Sequence, residues 1–179
     1  AGALGKQDDV AFYASESDAF KKRFIRSFFD VRKGYFTDGL AADTDHASLH
    51  GNMFPLAFDL VPVGKKQNVV DFIQTRGMAC SVYGSQFLMD ALYEANDAEY
   101  ALHMLTKTDD RSWYNMIRVG STISLEAWDN KYKPNQDWNH AWGAAPANII
   151  PRRLMGVEPL TPGFGTARIK PQLASLEWA

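Results

Sequence analysis

The chain has 179 residues, 13% of them aromatic, and its 19 basic and 21 acidic side chains give a formal net charge of −2. This near-neutral balance, without a run of like charges, argues against nucleic acid or an anionic membrane surface as the partner. The single cysteine, Cys80, excludes an internal disulfide and a cysteine-based zinc site. No run approaches the roughly 18 apolar residues of a membrane-spanning helix, so no span is predicted. The length suits one domain with a small appendage.

Five segments carry apolar residues at three- and four-residue spacing, which predicts amphipathic helices. They cover residues 18–29, 53–60, 69–73, 83–92 and 98–105. The short connections between them are typical of antiparallel helical hairpins. Pro55 predicts that the second helix begins near it or is kinked there, and Asp97 is the predicted N-cap of the fifth.

The pattern changes beyond Thr106. Residues 112–142 are rich in Trp, Asn, Asp, Gly and Tyr and show no sustained period, which predicts a long functional loop with short helical pieces. A final helix is predicted through residues 147–155, ending at Gly156. Alternation over residues 166–170 predicts a strand, and residues 173–178 are the candidate for a second short strand.

Four of the five tryptophans fall in this aperiodic region, interspersed with carboxylate, amide and imidazole groups. The tryptophans are Trp113, Trp128, Trp138 and Trp142, and the polar residues are Glu126, Asp129, Asp137, Asn139 and His140. Such a mixture suits a sugar, because C–H faces stack on indole rings while polar groups bind hydroxyls. The alternative is that the tryptophans form the core of a helical layer and the polar groups are caps.

Two sets of polar residues are candidates for acid–base or metal chemistry. Glu126 can orient and deprotonate a water if its neighbours keep it ionised, and with Asp129 it would share a face if the segment were helical. His46 and His50, near Asp43 and Asp45, lack the His-Glu-x-x-His order of a zinc site, so a helix start is the favoured interpretation. No metal site is therefore predicted.

Motifs for other chemistries are missing from the sequence. It contains no GxSxG, GxGxxG or GxxxxGK[ST] segment, so serine-hydrolase, dinucleotide and P-loop functions have no support and no cofactor is predicted. Cys80 is expected to be a small buried apolar residue rather than a nucleophile.

Four features of the sequence occur in a characteristic order. They are residues 46–58 (HASLHGNMFPLAF), residues 77–87 (GMACSVYGSQF), the run 112–146 and the closing Pro162-Gly163-Phe164 before a strand. Within the run, Ser112-Trp113, Gly120-Ser121-Thr122, Leu125-Glu126-Ala127-Trp128 and Asn139-His140 follow one another. In this order they resemble the α-L-rhamnosidases of glycoside hydrolase family 78.

The resemblance implies a mainly α fold, half of an (α/α)6 toroid of antiparallel helical hairpins, followed by the first strands of a C-terminal β-sandwich. It places residues 1–157 in the C-terminal half of the catalytic domain and residues 158–179 at the start of the β domain. The family hydrolyses terminal α-L-rhamnosides with inversion, and a periplasmic or secreted location is suggested by the resemblance alone.

The same resemblance assigns roles to individual residues. Glu126 matches the general base, His140 matches a histidine that holds the sugar, and Trp113 and Trp128 match aromatic positions near the pocket. Asn139 and Trp142 belong to the same candidate sugar-binding set, while Leu125 stands where a tryptophan is common in the family.

The acidic segment that carries the family's general acid is not found in this sequence. We therefore expect a C-terminal fragment that needs the N-terminal part of the same polypeptide and is inactive alone. Two alternatives stay open: a non-catalytic helical carbohydrate-binding or assembly module, and an (α/α)6 glycosidase for another sugar.

Overall fold

A computed structural model of the protein describes residues 1–40 and 45–178. Asp43, considered above beside the two histidines, lies outside the described residues, and so does Ala179 at the end of the proposed β domain. Among the described residues, no helix has the length and apolar character needed to cross a membrane.

Seven α-helices, two small antiparallel sheets and a few short 3₁₀ or π turns make up the regular structure of the described residues. The helices are α1 (Gln7–Phe28), α2 (His50–Ala57), α3 (Lys66–Arg76), α4 (Gly84–Glu94), α5 (Ala98–Thr106), α6 (Trp113–Arg118) and α7 (Ala145–Ile149). Strand β1 (Phe29–Asp30) pairs with β2 (Tyr35–Phe36), and β3 (Val157–Pro159) pairs with β4 (Ala167–Ile169). The fold is therefore mainly helical, as predicted.

Helix α1 extends further toward the N-terminus than its apolar pattern indicates. The predicted start lies near residue 18, whereas the helix begins at Gln7 and contains no buried residue. Its last turns contact the core through Phe24, Ile25 and Phe28, which are partly buried. Because residues 7–17 have no buried stripe, periodicity gives no sign of that half of the helix.

The core lies between α2, α4 and α5, with α3 packed on α2 and β2, and α7 packed on α4. Asn52 is fully buried in α2, and its side-chain amide accepts from Phe36 N (2.9 Å) and donates to Phe36 O (3.0 Å) and Ser48 O (3.0 Å). Every polar atom of the Asn52 side chain is hydrogen-bonded, so its burial does not carry the penalty of an unpaired amide. The interaction fixes β2 against α2.

Helices α2 to α5 confirm the four predicted helical segments that follow the first. Asp97 N-caps α5 as expected, since its carboxylate accepts from Tyr100 N (3.3 Å). Pro55 neither begins nor ends α2 but lies within its second half. A proline is tolerated in so short a helix because it removes only one internal hydrogen bond.

The long aperiodic region is confirmed as irregular chain with short helical pieces. It contains α6, a 3₁₀ turn at Ala141–Gly143, and no other helix or strand between residues 119 and 140. Ser112 N-caps α6, its hydroxyl accepting from Asn115 N at 3.0 Å.

The C-terminal part differs from the prediction in two places. The expected helix over residues 147–155 divides into α7 and a wider π turn, Ile150–Leu154, in which Met155 N donates to Ile150 O (2.8 Å). Pro151 lacks an N–H and cannot continue the ordinary ladder, which favours this change.

The second correction concerns the strands. The predicted strand at residues 166–170 is confirmed as β4, but its partner is β3 and not residues 173–178, which form no strand. Gly156 makes this hairpin possible: its φ is +71°, and a Cβ there would lie 1.9 Å from Lys170 O. Only glycine fits so close an approach at that backbone angle.

Candidate functional site

The segment that carries Glu126 is held by a return of the same loop. Glu126 N donates to Asp137 O (3.0 Å), and His140 N donates to Ser124 O (2.9 Å). The Ser124 hydroxyl also donates to His140 O (2.7 Å). These bonds fix the backbone on both sides of the carboxylate, although no strand is formed.

A glycine and a tryptophan secure the base of this return. A Cβ on Gly143 would lie 2.4 Å from Leu125 O, so a larger residue would push the two chain segments apart. Gly143 O in turn accepts from Trp113 Nε1 (2.7 Å), which ties the turn to α6. Asn115 of α6 donates to Trp128 O (2.9 Å), on the other side of Glu126.

Glu126 lines a cavity of about 290 Å³. The other residues around it come from α2, from the connection that precedes α4, and from the long loop: His50, Ala79, Cys80, Ser81, Arg111, Ala127, Trp128 and Tyr132. The side chain of Glu126 is 24% exposed. The carboxylate is thus open to a small molecule while being anchored by its own loop.

Both oxygens of the Glu126 carboxylate have a donor. Lys133 Nζ donates to Oε1, and Asp137 N donates to Oε2 at 3.1 Å. The Lys133 ammonium, followed by the Asp137 amide, lowers the pKa of Glu126 below its ordinary value, and the nearby His140 acts in the same direction. Glu126 is therefore ionised at neutral pH, which is the state that a general base requires.

Replacing Lys133 with Met is expected to raise the pKa of Glu126, because the ionised carboxylate loses its cation. If ionised Glu126 is needed for activity, the acidic limb of a plot of kcat/KM against pH should move to higher pH. The matched control is Lys131→Met, since Lys131 lies in the same loop but pairs with Asp110. An acidic limb that stays in place in the Lys133 variant would contradict the expectation.

Trp128 lies in the core, although one side of it reaches the cavity. Trp128 is 3% exposed, and its Nε1 donates to Cys80 O (2.7 Å). Its ring packs edge-on against that of Trp113, with the ring centroids 5.2 Å apart. Burial raises the pKa of the Cys80 thiol to about 12. The prediction that Cys80 is buried is confirmed. Its lack of reactivity stays a prediction.

The remaining predicted sugar-binding residues do not line the Glu126 cavity. His140 is half-buried with its Nδ1 3.6 Å from Asp137 Oδ2, and its buried Nε2 has no hydrogen-bond partner among the described residues. Trp142 is 61% exposed and packs edge-on against the His140 ring, 4.8 Å between centroids. Asn139 is exposed. Trp113 is half-buried and lines a separate apolar cavity beside Gly143.

The candidate metal arrangements are not assembled. Residues 126–129 are not helical, and Asp129 accepts from Asn115 Nδ2 (2.9 Å) instead of facing Glu126. His46 Nδ1 lies 2.6 Å from Asp38 Oδ2, whereas His50 turns to the Glu126 cavity. Within residues 1–40 and 45–178, no three His, Cys, Asp or Glu side chains are grouped as a metal would require.

Several residues that line the cavity or contact Glu126 were not assigned a role from the sequence. His50 belongs to the first motif quoted above, but nothing in the motif connects it with Glu126. Arg111, Tyr132 and Lys133 lie in or beside the aperiodic loop, where spacing carries no information on contacts.

Comparison with known proteins places this arrangement in context. Residues 1–154 match the model of the bacterial alpha-L-rhamnosidase six-hairpin glycosidase domain. An alpha-L-rhamnosidase of Alteromonas sp. (strain LOR) is 29% identical, with 96% of this chain and 19% of the relative covered. The chain thus spans about a fifth of the length of that curated relative.

Solved structures share the fold. The alpha-L-rhamnosidase from Dictyoglumus thermophilum has a TM-score of 0.80 and 21% identity, covering 95% of this chain and 19% of that one. The native enzyme from Aspergillus terreus has a TM-score of 0.75, 20% identity, and coverage of 94% and 20%. The Streptomyces avermitilis enzyme, complexed with L-rhamnose, has a TM-score of 0.72, 21% identity, and coverage of 95% and 17%.

The family model covers most of the chain, including the loop that carries Glu126, and the described fold agrees with that of solved relatives. The chain therefore belongs to the bacterial alpha-L-rhamnosidase six-hairpin glycosidase domain family.

Proposed function

We propose that the protein containing this chain hydrolyses terminal α-L-rhamnosides, with Glu126 as the general base. The observation that carries the proposal is the Glu126 carboxylate, which is held ionised by Lys133 and the Asp137 amide at the wall of a cavity. A base must be ionised, fixed and open to water, and Glu126 meets the three conditions. The choice of L-rhamnose as the sugar rests on the names of the family and of its relatives.

An inverting mechanism needs a second carboxyl group about 6.5–9.5 Å from the first, leaving room for the attacking water. Among the described residues, Glu126 is the only carboxylate that lines its cavity. We propose that the general acid comes from another part of the same polypeptide, since the chain covers 19% of its curated relative. The 179-residue chain assayed alone is then inactive.

The domain organisation belongs to the same proposal. Residues 1–157 would form the C-terminal half of an (α/α)6 toroid, and residues 158–179 would begin a β-sandwich. Exposed aromatic side chains on α1, among them Phe12, Tyr13 and Phe20, support a further layer of structure over that helix. Apolar rings of this size are usually covered in a complete domain.

We further propose that His140, Asn139 and Trp142 bind the sugar, together with the aromatic positions Trp113 and Trp128. The buried Nε2 of His140 supports a role in binding, because an unpartnered buried nitrogen lacks the hydrogen bond that a sugar hydroxyl would supply. Trp142 is the exposed ring of the group and suits stacking on a sugar face. Trp128 would act mainly by forming the wall behind Glu126.

The test is a panel of aryl glycosides assayed with the full polypeptide. Turnover of the α-L-rhamnoside, with the β-anomer appearing first by NMR, is the expected result. Turnover of another glycoside alone would favour an (α/α)6 glycosidase for a different sugar. Saturable binding of rhamnosides without any turnover would favour the non-catalytic module.

A further inference from the structure

The cavity at Glu126 shares part of its wall with a second, larger depression. Ala79, Arg111 and Tyr132 line both the Glu126 cavity and a neighbouring groove of about 610 Å³. We call it the Arg111 groove; its lining comprises residues 74–79, Lys107, residues 109–111 and Tyr132. The groove is therefore the neighbouring space that is available to a unit linked to a sugar at Glu126.

Two guanidinium groups of the Arg111 groove have no carboxylate partner within the described part of the chain. Arg76 donates only to Ala47 O (3.0 Å) and lies over the Phe72 ring, 4.8 Å from its centroid. Arg111 donates through its side chain only to Met78 O (3.4 Å) and lies over the Tyr132 ring, also at 4.8 Å. Each guanidinium has five N–H donors, so most of them are left for a ligand.

The acidic residues of the groove are already neutralised. Asp109 pairs with Lys107 at 2.8 Å. Asp110 is bridged by two cations, Arg118 at 2.8 Å and Lys131. The charges left without a partner in the groove are therefore positive. Guanidinium groups bind carboxylate and sulfate oxygens in pairs, and stacking on a ring fixes their orientation.

We propose that the Arg111 groove binds an anionic sugar, carrying a carboxylate or a sulfate ester, as the unit linked to the rhamnose at Glu126. This inference rests on the proposed rhamnosidase function and adds the class of substrate. Arg76 recognises only the distal unit, since it lines the groove and not the Glu126 cavity. Arg111, at the junction, contacts both units.

The experiment compares three disaccharides with the full polypeptide: rhamnose linked to glucuronic acid, to a sulfated glucose and to glucose. We expect kcat/KM for at least one anionic substrate to exceed that for the neutral one by about tenfold, with the advantage falling as salt rises. Whichever anionic substrate is preferred identifies the group as carboxylate or sulfate. Equal kcat/KM for all three would overturn the inference and leave the proposed function standing.

The key variant is Arg76→Gln, which should abolish the preference while leaving turnover of an aryl α-L-rhamnoside unchanged. Arg111→Gln should also lower the ratio of anionic to neutral kcat/KM. Lys170→Gln, which removes a positive charge outside the groove, is the control and should keep the preference. A preference that survives Arg76→Gln would count against the groove.

Binding supplies a readout that does not need turnover. Methyl glucuronide and sulfated methyl glucoside, followed by saturation-transfer NMR, should bind more tightly than methyl glucoside, and Arg76→Gln should remove the difference. Such binding with no hydrolysis of any rhamnoside would overturn the proposed function but retain the groove. Equal binding of charged and neutral sugars would reject the groove whatever the activity.

Discussion

Replacing Glu126 with Gln is expected to lower kcat for aryl α-L-rhamnosides by about 10²- to 10⁴-fold, the usual contribution of a general base. The amide has nearly the same size as the carboxylate, and it can still accept from the Asp137 amide, which lies 3.1 Å from Oε2. It cannot take a proton from water, so the loss falls on the chemical step and KM should change little. Steady-state kinetics of the full polypeptide measure both constants.

Glu177→Gln is the matched control, because Glu177 is an exposed glutamate far along the chain from the site. The Glu177 variant should keep the original kcat. Both variants should keep the original thermal unfolding midpoint. A Glu126 variant with near-normal kcat would remove this residue from the role of base and return it to an ordinary polar group of the loop.

Replacing Trp128 with Ala is expected to destabilise the protein by about 3–5 kcal/mol, the range measured for large buried aromatics. The indole is 3% exposed, packs edge-on against Trp113 and donates to Cys80 O, so the change leaves a cavity and an unpaired carbonyl. Chemical unfolding followed by far-UV circular dichroism measures the loss without relying on tryptophan fluorescence.

Two further variants separate the contributions to this loss. Trp128→Phe keeps most of the ring but removes the N–H donor, and should cost about 1–3 kcal/mol. Trp142→Ala removes a ring that is 61% exposed, and its stability should stay within about 0.5 kcal/mol of the original. A Trp128→Ala protein as stable as the Trp142→Ala protein would show that Trp128 does not support the core.

The tryptophans show how much of the candidate site the sequence could and could not predict. Their concentration in an aperiodic stretch located the candidate site, and the structure places Trp128, Trp142 and His140 around the Glu126 loop. Composition does not tell a buried indole from an exposed one, because both occur in the same irregular segment. Burial is decided by contacts with α6 and with Cys80, which are remote in sequence.

The helical part was predictable for a plain physical reason. Helices α2 to α5 bury one face each, and burial of a face produces the periodic pattern that was detected. The first half of α1 buries nothing, so it leaves no such pattern. The β3–β4 pairing was missed because it depends on the backbone of Gly156 approaching Lys170, which no local pattern records.

The electrostatic environment of Glu126 could not be predicted from the sequence. Lys133 is seven residues away and Asp137 eleven, separations with no fixed meaning in an irregular loop. Their contacts arise from the return of the chain, which the Ser124 and His140 hydrogen bonds create. The roles of these residues in catalysis stay predictions until the variants above are measured.

The return of the loop has a consequence for how such an enzyme can be adapted. The proposed base, Glu126, and both donors to its carboxylate come from residues 126–137, so we expect this contiguous stretch to carry most of the control over the acidic limit of activity. The cations of the Arg111 groove lie in other segments, at residues 76 and 111. Exchanging the loop between relatives should therefore transfer pH tolerance while leaving the choice of substrate to the recipient.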